Sequence, residues 1–406
     1  MTTIGTDGLS TLSGSVSQPS ARETGPLQVI HSAMVWLPRT QTWMCNQARA
    51  LPENVENHVV CETTENLDVF GMQHLHCLAD GSEIRYAWDK FMRGFHFRTH
   101  LGHLPRIAKK IGVDVLHSHF GHIGWANLAA ARRMRGAHVV TFYGQDLTYL
   151  PRLDPRWLDR YRQMFAEIDV ILCEGPHMAS KVVELGCPEE KVRVHRLGVD
   201  IDGIGFESRV KDAGEPLKVL MAASFTEKKG IPSGLSALGR IRDEVDFKVT
   251  VIGGANDTPR NQAEKRRIQV AIDECDIRDR VELIGYQSHE ALMKAAYDHH
   301  VFLSPSVHAE DGDTEGGAPV TIIEMAATGM PVVSTRHCDI PSVVLDGKSG
   351  LLAEEHDIDG IAAHLRTLAA DSERWIEMGK IGRQHVEARY DMRQQGEALA
   401  AIYRSL

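Results

Sequence analysis

Two successive series of short apolar runs, each run followed by a stretch with helical spacing, constrain this 406-residue chain more than any other feature. The first series holds LQVIHSAMV (27–35), VDVLHSH (113–119), AHVVTFY (137–143) and IDVILCE (168–174). The second holds LKVLMAAS (217–224), FKVTVIGG (247–254), RVELIG (280–285), HVFLSPS (300–306), MPVVST (330–335) and GLLAE (350–354). Apolar runs alternating with helices predict parallel sheets covered on both faces. The Gly- and charge-rich stretch 198–216 lies between the series and reads as a linker. The fold class expected is α/β: two doubly wound, Rossmann-like domains, 27–205 and 206–387, facing each other across a cleft. Ligands of open α/β sheets sit beyond the carboxyl ends of the strands, so such a cleft suits a two-substrate reaction.

Composition narrows the function. The net charge of −10 argues against a nucleic-acid binder that relies on overall positive charge. Up to residue 210 the chain is close to neutral, and the rest carries nearly all of the excess acid. The seven cysteines include no C-x2-C pair, which argues against a zinc ribbon and fits a reducing, cytoplasmic compartment. No apolar run reaches about 18 residues, so no transmembrane helix is expected. Residues 1–26 lack the basic start and apolar stretch of a secretory signal and read as a flexible tail.

The stretch EDGDTEGGAPVTIIEMAATGMPVVST (310–335) joins an acidic, glycine-rich loop to an apolar helix. Pro319 suits the first turn of that helix. Gly316 and Gly317 leave the loop backbone bare, so its N–H groups can approach an anion, aided by the helix dipole. Glu324, the lone carboxylate of the helix, can chelate two neighbouring ribose hydroxyls, and Glu315 can accept from a sugar hydroxyl. A solvated loop and a surface helix is the plainer alternative. Two other turns favour a ligand. In SFTEKKG (224–230), at a strand-to-helix turn, Lys229 or the adjacent Lys228 can neutralise a phosphate. In VIGGAND (251–257), Gly253 permits close approach at a strand end, without the G-x-G-x-x-G of a dinucleotide site.

The first series carries HSHFGHIGW (117–125) and TFYGQD (141–146). His117, His119 and His122 invite a metal, yet no nearby cysteine or acidic cluster completes a site. Alternation puts His117 and His119 on one strand face, where a structural role competes with a catalytic one. Asp146 either orients a neighbour or stabilises its turn. In LPRTQTW (37–43), Thr40 and Thr42 either cap the next helix or offer hydroxyls to an acceptor. Residues 85–110 hold seven basic side chains against Asp89 alone, with aromatics at 86, 88, 91, 95 and 97. That mixture suits an anionic membrane surface. A helix with an aromatic core face and a solvated basic face is the alternative.

The ordered combination E-K-K-G, I-G-G and E-G-G-x-P-x-x-x-x-E-x-x-x-x-G-x-P-V-V-S resembles the retaining glycosyltransferases of family four, which have the GT-B fold. The likeness spans about residues 27–406 and is nearest in flavour to bacterial exopolysaccharide transferases of colanic-acid and amylovoran type. It implies a nucleotide-sugar donor, a UDP- or GDP-sugar, held mainly by the second domain, with no cofactor and no obligatory metal. It implies that Glu324 binds the ribose and Lys229 the diphosphate, with Thr321 pointing toward the phosphates. Gly285 and Tyr286 would lie near the base; Glu315, Gly316, Gly317, Ala318 and Pro319 would hold the sugar. His119 and Gly121 would line the cleft, with His119, Lys229 and Glu315 as the catalytic set. The acceptor would be a hydroxyl of a glycan or lipid-linked chain, attacked from the front face with the leaving phosphate as base. The last helix, about 388–406, would pack back on the first domain. The protein would work in the cytoplasm or at the inner face of the membrane, with no nucleic-acid partner.

This sequence departs from the family pattern in four places. Eight residues rather than seven lie between Glu315 and Glu324, so Gly316 takes the usual place of the first glutamate. Ser224 stands where an arginine usually partners the lysine. Tyr143 replaces the histidine of T-F-H-G-x-D, which keeps a hydroxyl but no proton shuttle near neutral pH, while Asp146 matches. The N-terminal Gly-rich loop is absent. An epimerase acting on the same nucleotide sugar and a non-enzymatic membrane scaffold are the competing readings.

Overall fold

In the computed structural model, which describes residues 25–38, 43–67 and 71–406, parallel strands and intervening helices build two sheet-centred domains. The tail expected over 1–26 lies almost wholly outside the described residues, as do Thr40 and Thr42. The first domain contains β1 (Leu27–Ser32), β2 (Val35–Trp36), β3 (Val55–Cys61), β4 (Thr63–Thr64), β5 (His74–Cys77), β6 (Val115–His119), β7 (Ala137–Thr141), β8 (Val170–Cys173) and β9 (Val192–Val194). Strands β2 and β4 pair with each other. The others form one parallel sheet in the order β5-β3-β1-β6-β7-β8-β9. Its helices are α1 (Trp43–Arg49), α2 (Glu83–Gly94), α3 (Leu104–Ile111), α4 (Gly121–Ala131), α5 (Tyr149–Leu153), α6 (Arg156–Glu167) and α7 (Pro176–Glu184).

The second domain has β10 (Leu217–Ala222), β11 (Phe247–Ile252), β12 (Val281–Gly285), β13 (Val301–Ser304), β14 (Val332–Thr335) and β15 (Gly350–Ala353), parallel in the order β12-β11-β10-β13-β14-β15. The helices are α8 (Ile231–Arg240), α9 (Pro259–Glu274), α10 (His289–Tyr297), α11 (Val320–Ala327), α12 (Ile340–Val343), α13 (Ile358–Ala370), α14 (Glu373–Tyr390) and α15 (Met392–Arg404). Strand β10 shows why these runs are apolar throughout. Val219 and Met221 enter a layer with Leu235, Ile268 and Ile361, whereas Leu220 and Ala222 enter the opposite layer with Ile322, Met325 and Val386. In each sheet the first main strand lies between the second and the fourth, the switch point at which open α/β sheets take their ligands.

Three strands, β3, β5 and β9, extend the first sheet beyond the runs read from sequence. The chain crosses between domains twice, side by side: Val199 pairs with Asp391, and Met392 donates to the Val199 carbonyl at 3.0 Å. Asp391 caps α15, which returns to the first domain, where Leu399, Ala400 and Tyr403 join Val29, Val115 and Val139.

Helix α2 reverses the alternative of an aromatic core face. Ile84, Trp88, Phe91, Phe95 and Phe97 are 82, 59, 45, 65 and 69% exposed. The buried faces belong to charge instead: Asp89 holds Arg93 at 2.6 Å and Arg98 at 2.5 Å, and Arg93 also reaches Glu62 at 2.7 Å. Among the described residues, no helix is long and apolar enough to cross a membrane.

Candidate functional site

The carboxyl ends of β10, β13 and β14 converge on the acidic loop 310–318. After β10 the chain makes a tight turn over Glu227–Lys229, closed by Gly230 at φ 61°, where a Cβ would overlap the Pro305 carbonyl. That turn aims two lysines at the loop. Lys229 Nζ lies 2.8 Å from Glu315 Oε2, and Ser306 donates to Glu315 Oε1 at 2.7 Å. Lys228 Nζ donates to the Thr314 carbonyl at 2.8 Å and pairs with Asp313 at 3.1 Å, which also holds Arg260. Burial pushes the Glu315 carboxyl up, but Lys229 and Lys228 outweigh it and hold the group at about 2. Glu315 is therefore an anion committed to Lys229 and Ser306, and the lysines are already compensated by loop carboxylates.

A second layer fixes this arrangement. The Glu315 N–H donates to His337 Nε2 at 3.1 Å, so the His337 proton sits on Nδ1 and is given to Glu355 at 2.8 Å. His308 Nδ1 meets the same carboxylate at 2.8 Å, which raises the His308 pKa.

Ala318 and Pro319 lead into α11, with Pro319 at φ −55° and ψ 130° in the capping position. Thr321 and Glu324 follow on one face, both half-buried. Glu324 is paired: His289 Nε2 lies 2.8 Å from its carboxylate, and that bond raises the His289 pKa. Ser224 is half-buried at the exit of β10. Gly253, at φ 143°, leaves room for the Ala223 carbonyl and donates to the Gly285 carbonyl at 2.9 Å. Tyr286 bonds the Gly254 carbonyl at 2.8 Å through its hydroxyl and is 39% exposed.

The first-domain motif forms a directional chain of hydrogen bonds. Asn57 donates to the Ala48 carbonyl at 3.0 Å, which turns its amide oxygen toward His31 Nε2 at 3.1 Å. Burial lowers the His31 pKa to about 4, so His31 is neutral; with Nε2 donating, its Nδ1 accepts from His119 Nε2 at 3.0 Å. Burial also keeps His119 well below its ordinary range. Its Nδ1 accepts the Tyr143 proton at 2.6 Å. His119 has no solvent exposure and sits behind Tyr143, a different place from the cleft lining expected of it. The first-domain cluster with metal-ligand spacing is His31, His117 and His119 rather than 117, 119 and 122; His308, His337 and Glu355 form a second in the other domain. Every ring nitrogen of that trio has a hydrogen-bond partner within the protein, His117 to Tyr403 and Thr141 at 2.6 Å each. Asp146 locks the turns on which these groups stand. Its carboxylate accepts from Gly121 N at 2.6 Å and Tyr143 N at 3.0 Å. Burial outweighs those bonds and raises its pKa to about 6.

The two loop systems touch. Gly144 and Gly316 pack backbone to backbone, and a Cβ on either would overlap the other. Thr148 bonds Thr314 at 3.2 Å, Arg260 lies 5.3 Å from the Tyr149 ring centre, and Asp339 accepts the amides of His177 and Met178. Gly317 faces Glu174. Sequence reasoning missed His289, His337, Glu355, Asp339 and Glu174. Glu174 carried a visible signal, a carboxylate closing the apolar run IDVILCE.

Residues 40–202 match the family described as Glycosyltransferase Family 4, and 206–385 the family described as Glycosyl transferases group 1. The chain is 31% identical over 306 residues to a protein named as the colanic acid biosynthesis glycosyltransferase WcaL of Escherichia coli K12, covering 74% of this chain and 73% of that one. It is also 31% identical over 311 residues to the amylovoran biosynthesis glycosyltransferase AmsK of Erwinia amylovora, covering 75 and 74%. Two solved structures share the fold: sucrose-phosphate synthase of Thermosynechococcus elongatus (TM-score 0.73, 18% identity, 93% of this chain and 98% of that one) and Anabaena HepE in complex with UDP-glucose (0.72, 13%, 94 and 100%).

Proposed function

The chain belongs to glycosyltransferase family 4 and has the GT-B fold, and from that membership we propose that it moves a sugar, with retention, from a nucleoside diphosphate donor to a hydroxyl of a glycan or lipid-linked acceptor in exopolysaccharide synthesis. One observation carries the donor reading. At the switch point of the second sheet, Lys228 and Lys229, the loop Glu315–Ala318 and α11 with Thr321 and Glu324 converge. The bound UDP-glucose named for HepE supports a sugar nucleotide as the ligand class.

In this scheme Glu324, steadied by His289, takes the ribose hydroxyls, and the exposed Tyr286 ring beside Gly285 and Gly253 takes the base. The diphosphate competes with Glu315 for Lys229 and meets the first amides of α11 and the hydroxyls of Thr321 and Ser224. Negative charge grows on the departing diphosphate, and these fixed donors stabilise it without metal or cofactor. The sugar lies against Gly316, Gly317, Ala318 and Pro319. Gly121, Tyr143 and Asp146 shape the opposite wall. His119, with both ring nitrogens committed, positions Tyr143 rather than moving a proton.

We also place α2 at the inner face of an anionic membrane. Its exposed Trp88 and Phe91, with Phe95 and Phe97 just beyond its end, supply apolar contact, and Arg85, Lys90, Arg106, Lys109 and Lys110 lie in the same stretch to meet lipid phosphates.

A thermal-shift series with UDP, GDP, ADP and dTDP tests the donor site. The expected result is a raised midpoint with at least one diphosphate, and no shift with any of them rejects the reading. Incubation with sugar nucleotides but no acceptor separates transfer from epimerisation: slow donor hydrolysis fits, and an epimerised sugar rejects transfer.

A further inference from the structure

The first domain sends one carboxyl onto the donor loop. Glu174 follows directly on β8, at the carboxyl end of the strand, and its side chain lies where a Cβ on Gly317 would have to go. On either side of this contact the domains are pinned, by Gly144 against Gly316 and by Asp339 on the first turn of α7. Among the described residues, the Glu174 carboxyl has no hydrogen-bond or ion-pair partner, unlike Glu315, Asp146 and Asp339 around it. Burial, with Asp339, Asp146 and Glu315 nearby, raises its pKa well above the carboxylate range. In its protonated form the group can both give and accept one hydrogen bond.

We infer that Glu174 is a specificity-determining residue of the first domain, which domain closure delivers to a hydroxyl of the transferred sugar. This rests on the donor reading above. The chemistry follows from placement: the carboxyl faces the glycine loop assigned above to the sugar, and, half-buried without a protein partner among the described residues, it is free to bond a ligand hydroxyl. A carboxyl group in either form can bond a sugar hydroxyl, as acceptor when ionised and as donor or acceptor when protonated.

The test compares full-length wild type, Glu174→Ala and Glu174→Gln. Calorimetry measures affinity for UDP and UDP-glucose, and for GDP and GDP-mannose. Expected for Glu174→Ala is UDP or GDP binding within about twofold of wild type and sugar-nucleotide binding weaker by about tenfold, the loss of one hydrogen bond. Glu174→Gln, a neutral isostere that also gives and accepts, restores most of it. Equal weakening for diphosphate and sugar nucleotide, or no weakening with either, overturns the inference while leaving the donor site intact. Wild type that binds no member of the panel removes the donor reading and the inference with it. Unchanged melting midpoints show that both variants fold.

Discussion

Asp339 Oδ1 accepts the amide hydrogen of His177 at 2.8 Å, and its other oxygen accepts that of Met178 at 3.2 Å, so a carboxylate of the second domain caps a helix of the first. Gly175, just before that helix, has no Cβ to obstruct it. Those amides take this carboxylate only when the two domains are in contact, which turns a helix cap into a closure contact. Asp339→Ala should lose about 1 kcal/mol of closure, an about fivefold fall in kcat/KM. Asp339→Asn keeps one acceptor oxygen and should lose less. Steady-state kinetics of both variants checks the order.

Lys229 and Glu315 form a pair that neither can leave at little cost. Lys229→Ala strands a buried carboxylate and should destabilise the fold by about 3 kcal/mol while lowering turnover about 100-fold. The Glu315 carboxyl falls from an ordinary 4.5 to about 2 in the folded protein. Its stabilisation is therefore complete above about pH 4.5 and is lost as the pH falls toward 2. Urea unfolding of wild type and Glu315→Gln at several acid pH values checks this: only wild type should show that loss.

Asp146 has the opposite sign. Its folded pKa of about 6 exceeds the ordinary 3.8, so its contribution is fully present below 3.8 and is lost as the pH rises through 6. Asp146→Asn removes this dependence but offers a single acceptor oxygen to the two amides of Gly121 and Tyr143. A loss of about 2 kcal/mol at pH 4 is expected, narrowing by pH 7, and is read by chemical denaturation at both values.

Replacing Trp88, Phe91, Phe95 and Phe97 together by serine should leave the melting midpoint nearly unchanged, because these side chains face outward. Co-sedimentation with vesicles containing anionic lipid should fall about tenfold, as expected when apolar contact is lost from an interfacial helix. Equal binding by wild type and variant would remove α2 from the membrane contact.

Much of the fold was readable because doubly covered strands must be apolar on both faces. Runs such as 217–224 and 137–143 could hardly be anything else. Strand β3 escaped because VENHVVC places Glu56, Asn57 and His58 in a row between Val55 and Val59, and their partners come from elsewhere: Gln28 meets Glu56, and His31 meets Asn57. The glycines of the donor loop were legible as a bare backbone, but not the groups they face, Gly144 and Glu174, more than 140 residues away in sequence. The outward aromatics of α2 were misleading as a candidate core because Asp89 pulls two arginines inward, and a helical pattern does not reveal which face wins. The orientation of His119 depends on a proton chain that ends at Ala48, a relationship no local motif encodes.

The paired crossings at Val199 and Asp391 give the molecule a mechanical character. A domain held by one strand can swivel in any direction, whereas one held by two adjacent strands turns about the line of their pairing. A domain opening about that line would be close to a single rotation, with Gly144 against Gly316 and Asp339 on its two amides as the contacts that part and rejoin. The last helix belongs to the axle: because Tyr403 bonds His117 inside the first domain, cutting the chain after residue 390 would unhinge the motion and unplug the core together.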